Sequence, residues 1–174
     1  MIYAGIGARE TPGPILDSMR NAATALAKAG VGLRTGGAKG ADQAFFDGWE
    51  RVGQEQLLEV FVPYSGFRGF RVGEGPVYGP PTREARLLAK EYHPNWAVLG
   101  DTGRDFHARN CYQILGFDLK TPCDFVLCWT KDGKVVGGTG QALRLATAHE
   151  IPIFNLGSMS QDEVNEAIME MLNA

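Results

Sequence analysis

Three glycine-rich segments carry the residues of this chain whose types and spacing could bind a ligand. They are Gly5-Ile6-Gly7-Ala8-Arg9, Thr35-Gly36-Gly37-Ala38-Lys39-Gly40-Ala41-Asp42 and Gly137-Gly138-Thr139-Gly140-Gln141. Glycine permits a sharp turn and lets backbone N–H groups approach a ligand, and a helix N-terminus behind such a turn favours anions. The segments therefore predict a site for a phosphate-bearing ligand, with a purely structural turn as the alternative for each.

Side chains within these segments suggest individual roles. Arg9 would hold a phosphate together with the N–H groups of the first turn. Thr35 and Asp42 would fix the second turn, although an acid in a first helical turn also stabilises the helix dipole without any ligand. Gln141 would cap the third turn.

A loop at residues 64–81 interleaves aromatic residues with arginines. Its five glycines and three prolines predict no regular structure, and a loop of this length is often a lid or a binding segment. Phe67, Arg68 and Arg71 would close over a nucleobase, because such side chains stack on bases and pair with phosphates. A solvent-exposed loop or a subunit contact is the alternative.

Two further stretches contain candidates. A helix near residue 107 places Phe106, Arg109, Asn110 and Gln113 on one polar face, which would either contact a base or ribose or be solvated. Trp129 ends an apolar strand, at the edge of the sheet where a ligand is expected to bind. A tryptophan that belongs only to the core or to its rim would fit this position equally well.

Two nucleotide-binding patterns are incomplete. The first turn resembles a dinucleotide fingerprint, but Glu10 stands where the third glycine belongs. The second strand ends in Arg34-Thr35-Gly36, without the acid that binds a ribose, so an NAD-dependent oxidoreductase is disfavoured. The second segment also lacks the Gly-Lys-Ser/Thr ending of a phosphate-binding P-loop.

Composition limits the partners that we expect. Seventeen Lys and Arg against twenty Asp and Glu give a net charge of −3, so nucleic acid is an unlikely partner on bulk charge. Three cysteines without paired spacing and three scattered histidines predict neither a disulfide framework nor a metal site, and no cofactor is expected. The absence of a leader or a membrane-length apolar run predicts a cytoplasmic protein.

Strand-like and helix-like segments alternate along the sequence. Short apolar runs follow glycine or proline, and helical periodicity fills the intervals between them. The expected fold is α/β, a Rossmann-like doubly wound and mainly parallel sheet with helices on both faces, over residues 1–174 as a single domain. Ligands of such sheets bind beyond the carboxyl ends of the strands.

The glycine segments together resemble the SLOG superfamily of Rossmann-like proteins, which includes DNA processing protein A and the LOG phosphoribohydrolases. Gly7-Ala8-Arg9 resembles the Gly-Ser/Thr-Arg of the DNA processing group. The segment from Thr35 to Asp42 is similar to its Ser-Gly-x-Ala-x-Gly-Ile-Asp motif, with Ala41 in place of isoleucine. The resemblance covers about residues 1–63 and 123–157. The sequence of residues 64–122 resembles members of the DNA processing group that phages or prophages encode.

One departure from this superfamily bears on function. In the LOG group a catalytic glutamate follows the Gly-Gly-x-Gly motif, and Arg144 occupies that position here. A guanidinium does not exchange protons near neutral pH, so the resemblance favours a binder over an enzyme. It implies a homo-oligomer that binds, and as a phage counter-defence sponge would sequester, a cyclic nucleotide or ADP-ribose-type signal.

Two other functions remain open from the sequence. The first is a nucleotide hydrolase that splits an N-glycosidic or phosphoester bond, with Glu10, Asp42 or His107 as the acid or base. The second is a single-stranded DNA binder similar to DNA processing protein A.

Overall fold

A computed structural model describes residues 1–54 and 57–174. These residues form six strands: β1 Ile2–Gly5, β2 Gly32–Thr35, β3 Leu58–Phe61, β4 Val77–Tyr78, β5 Phe125–Cys128 and β6 Ile153–Asn155. They also form six α-helices: α1 Gly13–Lys28, α2 Ala41–Glu50, α3 Arg83–Tyr92, α4 Asp101–Leu115, α5 Gly137–Ala148 and α6 Gln161–Asn173. The strands make one sheet in the order β4-β3-β2-β1-β5-β6, and every pairing is parallel.

Helices cover both faces of this sheet, as the alternation of strands and helices predicted. Strand side chains point alternately to the two faces, so Tyr3 joins one hydrophobic core and Ala4 the other. The first core lies under α1, α2 and α6, and the second lies under α3, α4 and α5. The predicted doubly wound α/β fold is therefore confirmed, with a sheet that is wholly rather than mainly parallel.

Local capping signals place several helix starts. Thr82 Oγ1 accepts a hydrogen bond from the Ala85 N–H at the start of α3. At α6, Ser160 accepts from the Glu163 N–H, and the Glu163 carboxylate accepts from the Ser160 N–H. Each cap satisfies backbone donors that have no partner within the helix.

Two sequence expectations about local structure are wrong. Residues 64–81 contain β4, which pairs with β3. The Val60 N–H donates to the carbonyl of Pro76, just before β4, at 2.8 Å, and the N–H of Val62, just after β3, donates to the Tyr78 carbonyl at 3.0 Å. A two-residue strand has too short an apolar pattern to be recognised among glycines and prolines. The last glycine segment is the first turn of α5 rather than a turn before it, because the helix begins at Gly137.

The order of strands reverses at β1. The chain proceeds from β1 outward through β2, β3 and β4, and then returns to the other side of β1 for β5 and β6. A crevice forms at such a reversal beyond the carboxyl ends of the strands. The turns that follow β1, β2 and β5 therefore meet at one edge of the sheet.

Within the described ranges, no helix is long and apolar enough to cross a membrane.

Glycine at the contact between α1 and α2 provides a test of this packing. A Cβ on Gly48 would overlap the Arg20 carbonyl of α1 and lie 2.8 Å from Ala23 Cβ, whereas a Cβ on Gly103 of α4 would meet only Leu99 at 3.5 Å. We expect Gly48→Ala to lower the free energy of unfolding by roughly 1–3 kcal/mol, since α1 must move away. The matched variant Gly103→Ala should leave stability unchanged or raise it by up to about 1 kcal/mol. Urea denaturation measures both, and equal midpoints would contradict the described contact.

Candidate functional site: a cleft at the carboxyl ends of β1 and β5

A cleft of about 350 Å³ lies at the reversal point of the sheet. Five segments surround it: the turn after β1, the start of α2 with the turn before it, the middle of α4, the loop after β5 and the first turn of α5. Its lining includes Gly7, Ala8, Arg9, Glu10, Ala38, Asp42, Phe106, His107, Arg109, Asn110, Gln113, Thr130, Lys131, Val136, Gly137, Gly138, Thr139 and Ala142. The site predicted from the first and third glycine segments and from α4 is thus brought together in one place.

The first two glycine segments pack directly against each other. A Cβ on Gly40 would lie 2.6 Å from the Arg9 carbonyl, and one on Gly7 would lie 2.7 Å from Ala41 Cβ. Gly40 also has a φ of +82°, a conformation that side chains rarely adopt. Thr35 Oγ1 donates to the Gly5 carbonyl at 2.9 Å, which joins the ends of the two strands. Much of the glycine content therefore permits close packing of the two turns.

Arg109 is the buried centre of the site. Its guanidinium donates to the carbonyl of Gly36, after β2, and to that of Phe61, at the end of β3, the latter at 3.2 Å. The charge also lies 5.4 Å from the ring centre of Phe106. Arg9 lies 5.7 Å from the same ring centre, so two cations contact one aromatic ring at the cleft.

The buried carboxylate of Asp42 lies within the second glycine turn. Its carboxylate accepts from the Ala38 N–H at 3.3 Å and interacts with the Gly36 N–H. Burial raises the pKa of Asp42 to about 6, while the positive charge of Arg109 and these N–H groups act in the opposite direction. The turn's donors thus already hold a carboxylate, and the phosphate cradle predicted for this segment stays a prediction. Gly37 lies against the Phe70 ring and does not line the cleft.

The N-terminus of α5 faces the mouth of the cleft. Val136 at the N-cap makes no side-chain hydrogen bond to the helix, and Gly137, Gly138 and Thr139 line the cleft. Asn110 Nδ2 donates to the Gly138 carbonyl at 3.1 Å and so attaches α4 to this turn. First-turn N–H groups without a side-chain cap favour an anion.

Gln141 does not cap this helix, contrary to the sequence expectation. It lies inside α5, is fully buried, and its amide contacts Cys111 Sγ at 3.4 Å. Gly140 is likewise buried beneath the first turn. Both residues lie behind the cleft rather than in its lining, because the helix begins four residues earlier than Gln141.

The loop after β3 packs beside the cleft and does not close over it. Phe67 is buried edge-on against Phe106, with ring centres 5.3 Å apart. Arg68 donates to the Gly37 carbonyl at 3.1 Å and to Gln43 at 3.0 Å, while Arg71 is exposed. The expectation of a cover formed by Phe67, Arg68 and Arg71 is therefore not met in this conformation, since Arg68 bonds to the second turn and Phe67 packs against Phe106.

Several other residues have defined positions around the site. Trp129 is partly buried against the first core, and its carbonyl accepts from the Ala8 N–H at 3.3 Å. Arg144 donates to the Tyr92 carbonyl at 2.6 Å and is not among the lining residues. Arg144 thus joins α5 to the end of α3.

Three other residues line the cleft: Lys131, His107, which is a candidate acid or base in the sequence, and Gln113, which lies on the predicted polar face of α4. Lys131 belongs to a turn signal, which gave no functional indication. Burial lowers the pKa of His107 to about 4, with a smaller effect from His93, so its ring is neutral at pH 7. Gln113 follows Arg109 by one helical turn, and this spacing places both residues on the same face of α4.

Among residues 1–54 and 57–174, no three His, Cys, Asp or Glu side chains form a metal-binding group.

Comparisons with known proteins support the fold. Neither a protein-family model nor a curated protein sequence matches this chain. The structure is similar to that of DNA processing protein A from Helicobacter pylori, studied for its single-stranded DNA binding mode, with a TM-score of 0.54 and 22% identity. The similarity covers 99% of this chain and 73% of the other. The resemblance to the DNA processing group is supported at the level of fold.

This comparison also overturns one prediction. Nucleic acid was expected to be an unlikely partner because the net charge is −3. That expectation is contradicted by a chain of the same fold that binds single-stranded DNA. Net charge averages over the whole surface, whereas contact with nucleic acid depends on the charges near the site.

The raised pKa of Asp42 predicts a pH dependence of stability. A carboxyl with a folded pKa of about 6 and an ordinary value of 3.8 binds its proton more tightly in the folded state. Its ionisation therefore lowers the free energy of unfolding as the pH rises from 4 to 7, by up to about 3 kcal/mol. We expect Asp42→Asn to gain stability relative to the wild type over this range in urea titrations. The histidine contributions cancel in this difference, and a constant difference would contradict the assignment.

Proposed function

We propose that this protein binds single-stranded DNA along the edge of the sheet where β1, β2, β3 and β5 end. The observation that carries the proposal is the distribution of charge. Segments 6–12, 36–40, 62–76 and 129–136 follow these strands and contain six Lys or Arg against three acidic residues, whereas the rest of the chain has eleven against seventeen. An acidic protein thus has a basic edge at its cleft.

All six basic residues of this edge are exposed: Arg9, Lys39, Arg68, Arg71, Lys131 and Lys134. Exposed cations attract the phosphates of a strand and release counterions when they bind. The first turn of α5 adds backbone donors between Arg9 and Lys131, both of which line the same cleft. A strand that follows this edge would place at least one phosphate at the mouth of the cleft.

Aromatic rings are available to the bases along this edge. The Phe106 ring lies at the cleft, and Tyr64 is 49% exposed and packs edge-on against Phe67. Base stacking on such rings does not depend strongly on sequence, which is typical of proteins that bind single strands. The similarity in fold to a single-stranded DNA-binding protein supports the same proposal.

Two matched double variants test this function. Lys39→Ala/Lys131→Ala removes two cations from the basic edge, and Lys28→Ala/Lys120→Ala removes two exposed cations from segments at the amino ends of the strands. Since a single strand contributes about 0.7 to the salt slope per phosphate contact, the first pair should reduce the slope by about 1.4 and weaken binding. The control pair should change neither. Fluorescence anisotropy of a labelled oligothymidine at several salt concentrations measures both effects.

Two outcomes would contradict the proposal. One is the absence of oligonucleotide binding by the wild type at low salt. The other is an equal change of slope in both double variants, which would show that binding follows overall charge rather than the basic edge.

The size of the cleft favours a second candidate, a nucleotide-derived small molecule. A volume of about 350 Å³ falls within the range of small-ligand sites, and polar groups converge on it. A cyclic nucleotide or an ADP-ribose-type signal would place its phosphate at α5, and sequestration by a phage-encoded homo-oligomer is the corresponding biological role.

Incubation with such nucleotides followed by denaturation and chromatography tests this candidate. A stoichiometric amount of intact nucleotide released from the washed protein is the expected result, since Arg144 stands in place of the catalytic glutamate. A hydrolysed product would favour the alternative of a nucleotide hydrolase, and no retained nucleotide would remove the candidate.

A further inference from the structure

We propose that the floor of the cleft recognises the edge of a nucleobase through Gln113 and Asp42, with a preference for guanine. This inference rests on the proposed function and adds a specificity to it. The base would come from a DNA strand or from a free nucleotide, since both present the same edge.

Gln113 is the observation that points to a ligand. It is only 2% exposed and lines the cleft. No hydrogen bond of its amide is observed within the part of the chain that the structure describes, and neither amide atom is among the fully buried atoms without a partner, so the amide is open to the cleft. His107 also lines the cleft and has a buried Nδ1 without a partner in the same described part. A ligand in the cleft can therefore bond to the open amide of Gln113, and a bond to His107 Nδ1 would recover the free energy that burying this atom without a partner costs.

The floor and the mouth of the cleft differ in charge. Arg9, Lys131 and the first turn of α5 provide positive charge and N–H donors at the mouth. The floor has a neutral amide at Gln113 and the carboxyl group of Asp42. A carboxylate repels phosphate and accepts hydrogen bonds from neutral donors. Phosphate therefore belongs at the mouth, and an uncharged group with hydrogen-bond donors belongs at the floor.

Guanine offers the best match among the DNA bases. Its Watson–Crick edge presents two adjacent donors, N1–H and N2–H, beside the acceptor O6. The Asp42 carboxylate would accept from the two donors, and the Gln113 amide would donate to O6. Adenine, cytosine and thymine each present fewer donors on this edge, so each would leave part of the carboxylate unpaired.

The test compares oligothymidines that contain one central guanine, adenine or abasic site. We expect the wild type to bind the guanine strand about tenfold more tightly than the abasic strand, because a good two-bond contact discriminates by about this factor. Gln113→Met keeps the length of the side chain and removes both polar atoms, so it should abolish the preference while leaving the salt slope unchanged. Gln161→Met on α6 is the matched control and should keep the preference.

Asp42→Asn provides a second, independent variant. It replaces one acceptor of the carboxylate by a donor, so it should also reduce the guanine preference, and it serves as the test if Gln113→Met fails to fold by circular dichroism. Thermal shifts with dGMP and dAMP separate the two sources of the base. A larger shift with dGMP identifies the free nucleotide as a ligand, and a preference restricted to oligonucleotides identifies the strand.

The outcomes separate this inference from the proposed function. Salt-dependent binding of all strands with equal affinity for guanine and abasic sites would overturn the inference and leave DNA binding in place. A guanine preference that survives in both variants would overturn the assignment to Gln113 and Asp42. If the wild type binds none of the strands, the proposed function itself is overturned.

Discussion

The buried charge of Arg109 constrains the whole carboxyl edge of the sheet. A guanidinium removed from water must keep its donors paired, so the carbonyls of Gly36 and Phe61 must remain within its reach. These carbonyls follow β2 and end β3, and the arginine belongs to α4, so one side chain joins three elements. The rings of Phe67 and Phe106, which pack edge-on against each other, complete its surroundings and fix the loop after β3.

This arrangement determines which backbone groups remain available to a ligand. Asp42 balances Arg109 and accepts from the second glycine turn, so those donors are directed inward. The first turn of α5 has no comparable acid, and its donors lie at the mouth of the cleft. Two glycine-rich segments of similar composition thus differ in chemistry because a carboxylate lies beside only one of them.

The regular elements were largely predictable from the sequence, because strand and helix periodicities and the caps at Thr82 and Ser160 are local signals. The site was only partly predictable. Local composition indicated that glycine turns would meet, but it did not show that Asp42 would fill one turn or that Gln141 would be buried within α5. The short strand β4 depends on pairing with β3, and the basic edge depends on topology, so neither is visible in composition or net charge.

The cleft combines segments that are far apart in the chain. Residues 7–9, 38–42, 106–113 and 130–142 contribute to it from both sides of the reversal point. None of these segments forms a binding surface alone, so the cleft exists only after the two halves of the sheet have joined. Such long-range closure is slow relative to local helix formation, and a ligand of the cleft would stabilise the complete fold rather than either half. Occupancy of the cleft is therefore coupled to the global unfolding equilibrium.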